Sequence, residues 1–478
     1  MEIIGRNSEK AFMESLLNSP KSELLAVYGR RRIGKTYLIK NVYTENIAFE
    51  FTGTQNATLN NQLFKFSEKI NVYFPDQTTT QEQPKSWSEG FSFLKKCLLK
   101  SSFEKRVILF DELPWIAGKR SNFLEELAYW WNDWASDQNL VVVVCGSAAS
   151  WMLTKVINHK GGLHNRVTKR LNLKPFTLAE TKLYLQNLGV NWDNYQTIQF
   201  YMSVGGVPTY LNEAQAGETV TQTIDRIFFG NDHFMQTEFH SLYAALFEGY
   251  QSHINIIRAL SEKWQGLSRS ELIKITKLSD GGGLSQILIE LEASSFISKL
   301  LPIGKKQKDA LYRLSDEYSL FYLKFIEKKS RNAKNEWLKI AQTDAYKIWC
   351  GYAFENVCIR HVDAIKTALG ISGIYTEVSS YWYKGDDTES GFQIDLLIDR
   401  ADNAINICEM KFVNDDFRMT ESYSTQLRQR REAFRRVSKT KKMLFNTLIT
   451  TYGIKNADNS AQIDHVLTIE KLFKLGEF

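Results

Sequence analysis

Cysteine is scarce and scattered. The 478 residues hold five, at positions 97, 145, 350, 358 and 408, and no two form a CxxC pair. An odd, widely spaced set excludes a disulfide-stapled scaffold and fits a reduced compartment. Long apolar runs are missing as well. None approaches the roughly 18 residues of a membrane-spanning helix, and the opening MEIIGRNSEK lacks the apolar stretch of a secretory signal. The expectation is a cytoplasmic protein with no membrane partner. An excess of one charge sign is also absent: 60 Lys and Arg face 54 Asp and Glu, a net of +6. Bulk charge of that size establishes no polyanion partner. Internal repeats and low-complexity tracts are absent, and 43% hydrophobic with 24% charged residues excludes a disordered tail, a collagen-like chain or a coiled-coil rod.

What is present points to several domains, since domains usually run to about 100–200 residues. Charge is uneven among the segments. Residues 241–348 carry 17 basic and 12 acidic side chains, whereas residues 349–478 carry 17 and 18. Three apolar runs, LLAVY at 24–28, RVILF at 106–110 and LVVVVC at 140–145, read as buried strands. Helical spacing between them predicts a parallel sheet with crossover helices. From Pro175 to about 240 the pattern is helical. Residues 253–326 then read as three helices, HINIIRALSEKW, SRSELIKITKL and GLSQILIELEASSFI, followed by two strands around the basic turn GKKQKD. That order is the winged-helix pattern. Its third helix carries Glu290 and Glu292 and no Lys or Arg, which argues against reading bases in a major groove. Lys305, Lys306 and Lys308 in the wing suit phosphates. KKSRNAKNE at 328–336 reads as a linker.

The segment GRRRIGKT, Gly29 to Thr36, matches G-x-x-x-x-G-K-[ST] between a strand and a helix. Two glycines let successive N–H groups face phosphates, and the helix start adds its positive dipole end. Gly29, Arg30, Arg31, Arg32, Ile33, Gly34, Lys35, Thr36 and Tyr37 are the expected nucleotide-binding residues. Lys35 reaches the β- and γ-phosphates, and the Thr36 hydroxyl ligates Mg²⁺. Asp111 ends the strand RVILFD and is placed to hold the same Mg²⁺, while Glu112 polarises the attacking water. Ser147, after LVVVVC, is placed for the γ-phosphate or the water. Arg166 is a candidate arginine finger.

These stretches resemble the archaeal-type P-loop ATPases, relatives of the AAA+ and STAND ATPases. The resemblance covers about residues 1–215, through IIGRNSE, GRRRIGKT, LFDELPW, VVVCGS, NRVTKRLNLKPF and SVGGVPTYL. It implies ATP and Mg²⁺ as cofactors and places Gly5, Arg6 and Glu9 near the adenine. It makes Arg166 the sensor of the γ-phosphate, and acting in trans this arginine would require a homo-oligomer. The family pattern has Gly directly before that arginine; this chain has Asn165.

A second constellation lies near the C-terminus. Glu355 falls in a helix, Asp395 in the strand GFQIDLLIDR, and Glu409 with Lys411 in NAINICEMKF. Residues two apart on a strand share a face, and an antiparallel pair would bring Asp395 beside Glu409. Two carboxylates and a lysine on one face suit metal-assisted phosphodiester hydrolysis. Asp395 and Glu409 would ligate Mg²⁺, Glu355 would complete the sphere, and Lys411 would orient or deprotonate water or neutralise the transition state. The competing reading is a salt-bridged sheet face without catalysis. The pattern resembles the PD-(D/E)xK nuclease superfamily, which implies a DNA substrate and makes Gln426 a helix-borne site residue. The Arg-rich helix QLRQRREAFRRV offers Arg428, Arg431 and Arg435 to a phosphate backbone.

The expected architecture is multidomain α/β: a P-loop ATPase core at 1–175, a helical lid at 176–240, a winged helix with linker at 241–335 and a nuclease-like α/β domain at 336–478. The expected function is an ATP-hydrolysing switch coupled to a metal-dependent DNA nuclease. The alternative is a nucleotide-regulated DNA-binding or scaffold protein with an inert nuclease-like domain.

Overall fold

All seven residues of Leu140–Gly146 are buried, and a strand covered on both faces requires layers above and below it. The structure, a computed structural model, provides them. It describes residues 3–77, 83–100, 105–118, 121–158, 163, 165–230, 233–303, 306–328, 336–387, 389–455 and 457–474. Lys305 and most of the expected linker therefore lie outside the described residues. The chain divides into two compact units, Met1–Lys174 with Ala293–Ser295, and Pro175–Glu292 with Phe296–Phe478.

The first unit is built on β1 (Glu23–Tyr28), β2 (Ile47–Thr52), β3 (Arg106–Asp111), β4 (Leu140–Gly146) and β5 (Lys169–Asn172). They form one parallel sheet in the order β2-β3-β4-β1-β5. Alternation along β1 sends Leu24 and Ala26 to one face and Leu25 and Val27 to the other, into two separate cores. The first of these is aromatic, with Trp87 edge-on to Phe123 at 4.7 Å. Helices Leu59–Tyr73 and Trp87–Leu99 supply much of that layer. The carboxyl ends of β1, β3 and β4, neighbours in the sheet, each lead directly into a sequence-predicted site segment, the usual ligand position in a parallel sheet.

The second unit starts with helices Leu178–Asn187 and Asn194–Val204. Thr177 and Glu180 close a capping box on the first. Helices Gln251–Ser261, Arg269–Thr276 and Gly282–Ala293 accompany a small antiparallel sheet. Its strands are β6 (Leu267–Ser268), β7 (Ile297–Leu300) and β8 (Leu311–Leu314), in the order β6-β8-β7. A larger mixed sheet has the order β15-β13-β11-β10-β9. Its members are β9 (Thr376–Gly385), β10 (Ser390–Arg400), β11 (Ala404–Lys411), β13 (Met443–Thr450) and β15 (His465–Thr468). The two-residue strands β12 (Phe417–Arg418) and β14 (Ile454–Lys455) pair with each other. One hydrophobic core runs from Phe176 to Leu472 through this unit. Among the described residues no helix is long and apolar enough to cross a membrane.

Candidate functional site

In the first unit the site grows from the turn after β1. Gly29 sits at φ 145°, and a Cβ there would lie 2.2 Å from the Leu173 carbonyl oxygen, so only glycine passes. Gly34, at φ 84°, caps helix Lys35–Val42. Lys35 is buried, and its ammonium donates to Gly29 O at 3.1 Å and Arg30 O at 2.8 Å. Burial lowers its pKa, against the pull of Cys145, Glu112 and Asp111. The Thr36 hydroxyl donates to Asp111 Oδ2 at 2.7 Å, and the Glu112 N–H donates to Asp111 Oδ1 at 2.9 Å. Glu112 adopts φ 49°, a costly backbone for a non-glycine residue. Its Oε2 accepts from the Ser147 hydroxyl at 2.9 Å and the Ser147 N–H at 3.3 Å. Thr36, Asp111, Glu112 and Ser147 thus form one hydrogen-bonded chain beside Lys35. The paired hard oxygens of Thr36 and Asp111 fit Mg²⁺.

The other expected residues fall around this chain. Ile33 belongs to the core, Arg30 is buried, Arg31 and Arg32 are half-buried, and Tyr37 is exposed. Gly5 and Arg6 have φ 66° and 58°, and the Arg6 guanidinium donates to Lys174 O at 2.7 Å and pairs with Glu9 at 3.3 Å. Arg166 is exposed on a turn closed by its N–H to Leu163 O at 3.0 Å. Asn165 before it holds φ 59°, the left-handed conformation that Gly supplies and Asn tolerates.

Residues 4–214 match the model of the ATPase domain predominantly from Archaea. This segment is similar to an archaeal-type ATPase domain. An uncharacterized protein of Methanocaldococcus jannaschii is 22% identical over 391 residues, 81% of this chain and 83% of that protein. An uncharacterized ATP-binding protein of the same organism is 46% identical over 43 residues, 9% of this chain and 71% of that protein. Among solved structures, a Walker-type ATPase of Pyrococcus abyssi superposes with a TM-score of 0.49 at 16% identity, over 67% of this chain and 96% of that one. The Aeropyrum pernix ORC2 protein gives 0.44 at 12%, over 67% and 93%.

The second constellation lies wholly in the other unit, outside the matched residues 4–214. The pairing of β10 with β11 runs from Asp399↔Ile405 to Leu396↔Cys408, so Asp395 is the next residue and Glu409 its counterpart. A register irregularity between β9 and β10 falls at Ile394–Leu397, and such bulges re-aim side chains. Helix Asp344–Arg360 brings Glu355. Glu355, Asp395, Gln393, Tyr352, Trp264 and Gln265 line a cleft of about 190 Å³. Burial and the neighbouring Asp395 push Glu355 up to about 8, against Arg313. Burial raises Asp395 too, although Arg313 opposes it.

Glu409 is in a different state. Burial alone would raise its pKa, but Arg430, Lys411 and Tyr423 outweigh it and hold the carboxyl well below the usual range. Lys411 Nζ lies 2.8 Å from Glu409 Oε1, the Tyr423 hydroxyl donates to the same oxygen at 2.7 Å, and Arg430 pairs with Oε2. Among the described residues no three His, Cys, Asp or Glu side chains stand together so as to hold a metal ion. Mg²⁺ often needs only one or two carboxylates, with water and substrate oxygens completing its shell. Glu355 and Asp395 fit that smaller role; Glu409 is committed to three donors.

Gln426 and Arg428 are exposed on helix Glu421–Ser438. Arg431 bonds Gln462 at 3.0 Å and Asp464 at 3.4 Å, and Arg435 bonds Lys442 O at 3.3 Å. Sequence reasoning missed Arg313 and Tyr423 altogether and gave Arg430 no partner. Tyr423 and Arg430 share a seven-residue spacing on one helix face, a pattern visible in sequence once Glu409 is chosen as the centre. Arg313 carries no such signal, because its partner Glu355 is 42 residues away.

Proposed function

We propose that the chain is an ATP-hydrolysing switch coupled to a metal-dependent nuclease acting on DNA. The observation that carries the ATPase part is the hydrogen-bonded chain Thr36–Asp111–Glu112–Ser147 behind the phosphate loop. Lys35 exchanges its carbonyl contacts for phosphate oxygens, and the amides of Gly29 to Thr36 cradle the remaining charge. Mg²⁺ on Thr36 and Asp111 supplies further neutralisation of the triphosphate. Glu112 orients the attacking water and takes its proton, and Ser147 holds the carboxylate in place. Arg166 meets the γ-phosphate, and if it does so from a second copy the protein works as a homo-oligomer.

The nuclease part rests on Glu355 and Asp395 facing one cleft. A divalent cation there supplies charge stabilisation at a phosphodiester. The exposed arginines of helix Glu421–Ser438 track the backbone, and helices 251–293 with β6–β8 serve as a winged helix between the lid at 176–240 and the nuclease-like domain at 336–478. Reduced, unpaired cysteines fit a cytoplasmic setting.

One observation favours a second reading, a nucleotide-regulated DNA-binding protein with an inert nuclease-like domain. Glu355 and Glu409 already have cationic partners within the chain, Arg313 for the first and Arg430 with Lys411 for the second. The full chain incubated with linear, nicked and single-stranded DNA, with Mg²⁺ or Mn²⁺ and with or without ATP, separates the two. Cleavage lost in Asp395→Ala, with its ATP dependence lost in Lys35→Ala, supports the nuclease. Binding without cleavage of any substrate supports the second reading, and cleavage surviving Asp395→Ala excludes the assigned residues.

A further inference from the structure

Arg313 lies on β8, in the small antiparallel sheet, apart from the helix and the strand that bear Glu355 and Asp395. It is 4% exposed. Its guanidinium reaches Glu355 Oε2 through Nη2 at a long 3.4 Å, and its Nε–H finds no acceptor among the described residues. A buried guanidinium with five donors and so little hydrogen bonding is poorly satisfied. It sits beside two desolvated acids, Glu355 and Asp395, and opposes the rise that burial imposes on both. The same block also walls the cleft. Trp264 stacks on Tyr352 at 4.8 Å and 10°, one helical turn from Glu355. Gly266 fits against the Tyr312 carbonyl, where a Cβ would stand 2.7 Å away, so the Trp264–Gly266 turn and Arg313 ride on one strand pair, β6 with β8.

Resting on the nuclease reading of this cleft, we propose that Arg313 is a built-in counter-cation that competes with a divalent metal for Glu355 and Asp395. The cleft loads metal only when the guanidinium leaves, and any movement of the β6–β8 block that withdraws Arg313 also opens the Trp264 wall. Loading and access are thus set by one element, a regulatory contact made within the chain.

The test is Mn²⁺ binding by the full-length chain without nucleotide, read by calorimetry. The component lost in Asp395→Asn defines this cleft. Arg313→Gln is expected to tighten that component at least tenfold, and Asp395→Asn to erase it in the Arg313→Gln background as well. Arg313→Lys keeps the stem and charge but loses the planar fork; it is expected to tighten binding several-fold, and it answers the question should Arg313→Gln not fold. Unchanged or weaker Mn²⁺ binding in both variants overturns the proposal, as does the absence of any Asp395-dependent component. Cleavage is scored separately. Tighter binding in the variants with no cleavage of any DNA supports the counter-cation and rejects the nuclease. Cleavage by the unmodified chain with Mn²⁺ affinity indifferent to Arg313 does the reverse.

Discussion

Glu112 combines a strained backbone, φ 49°, with a carboxylate fixed by two donors from Ser147. Strain of about 1–3 kcal/mol is retained where surroundings over-determine it, and here it turns the carboxylate toward the end of β4 rather than back along β3. Glu112→Gln keeps the shape and both contacts from Ser147 but removes the base. ATP binding should stay within about threefold, while steady-state hydrolysis should fall by about 10²–10³, the usual size of general-base catalysis. Hydrolysis at the unmodified rate would remove Glu112 from the mechanism. Asn165 allows a second comparison. Its φ of 59° costs a β-branched residue about 1–2 kcal/mol but costs glycine nothing. Asn165→Gly should leave hydrolysis within twofold, and Asn165→Val should lower it several-fold by turning Arg166 away. Equal rates in the two variants would detach this turn from catalysis. The five residues that the structure brings together here, Lys35, Thr36, Asp111, Glu112 and Ser147, could be singled out in the sequence, because each lies at a short offset from a strand end. Arg313 could not, because its role depends on a fold that brings distant segments together.

At the scale of elements, the turn at 204–208 shows how much a short motif can hold. Phe176 N–H donates to Gly206 O at 2.7 Å, Tyr201 donates its hydroxyl to Phe176 O at 2.9 Å, and a Cβ on Gly206 would stand 2.0 Å from that same oxygen. The clash is with backbone, so no rotamer relieves it. Gly206→Ala should lower stability by about 3 kcal/mol, read as a shift of the urea midpoint. Gly217 is the control: it has φ 86° and open space around its Cβ position, so Gly217→Ala should cost only about 1 kcal/mol. Equal shifts would mean that the crossing of 176 and 206 is not tight. Element legibility followed burial. β1, β3 and β4 are almost fully buried and announce themselves as apolar runs. β9, TEVSSYWYKG, has one buried residue in ten, and β5, KRLN, has none, so neither carries an apolar signature. Both are edge strands, specified by the neighbour they pair with rather than by their own composition. The helices at 59–73 and 87–99 also went unread, although their buried faces form part of the aromatic core.

At the scale of the molecule, the second unit joins the helices after Pro175 to the C-terminal sheet in one core, and a single imidazole sits where they meet. His361 is buried, accepts the Leu178 N–H at Nε2 at 2.9 Å and meets Val357 O through Nδ1 at 2.7 Å. That pair of contacts fixes one neutral tautomer, with Nδ1–H donating. Leu178 opens helix Leu178–Asn187, so the imidazole faces the positive end of that helix and supplies the acceptor that one of its unpaired first-turn N–H donors lacks. Burial lowers its pKa to about 4, with Arg360 helping and the Val357 carbonyl and Glu180 opposing. Protonation would turn Nε2 from acceptor to donor against an N–H. The unfolded chain, with an imidazole near 6.5, takes up a proton that the folded chain refuses. The stability from this group is therefore complete above about pH 6.5 and is lost as pH falls toward 4, about 3 kcal/mol in all. His361→Gln removes the titration while leaving an amide to bond either neighbour. The urea midpoint of the unmodified chain should exceed that of His361→Gln at pH 7.5, and the gap should close by about pH 4.5. A gap that stays constant across that range would show that His361 does not carry the acid sensitivity of this core.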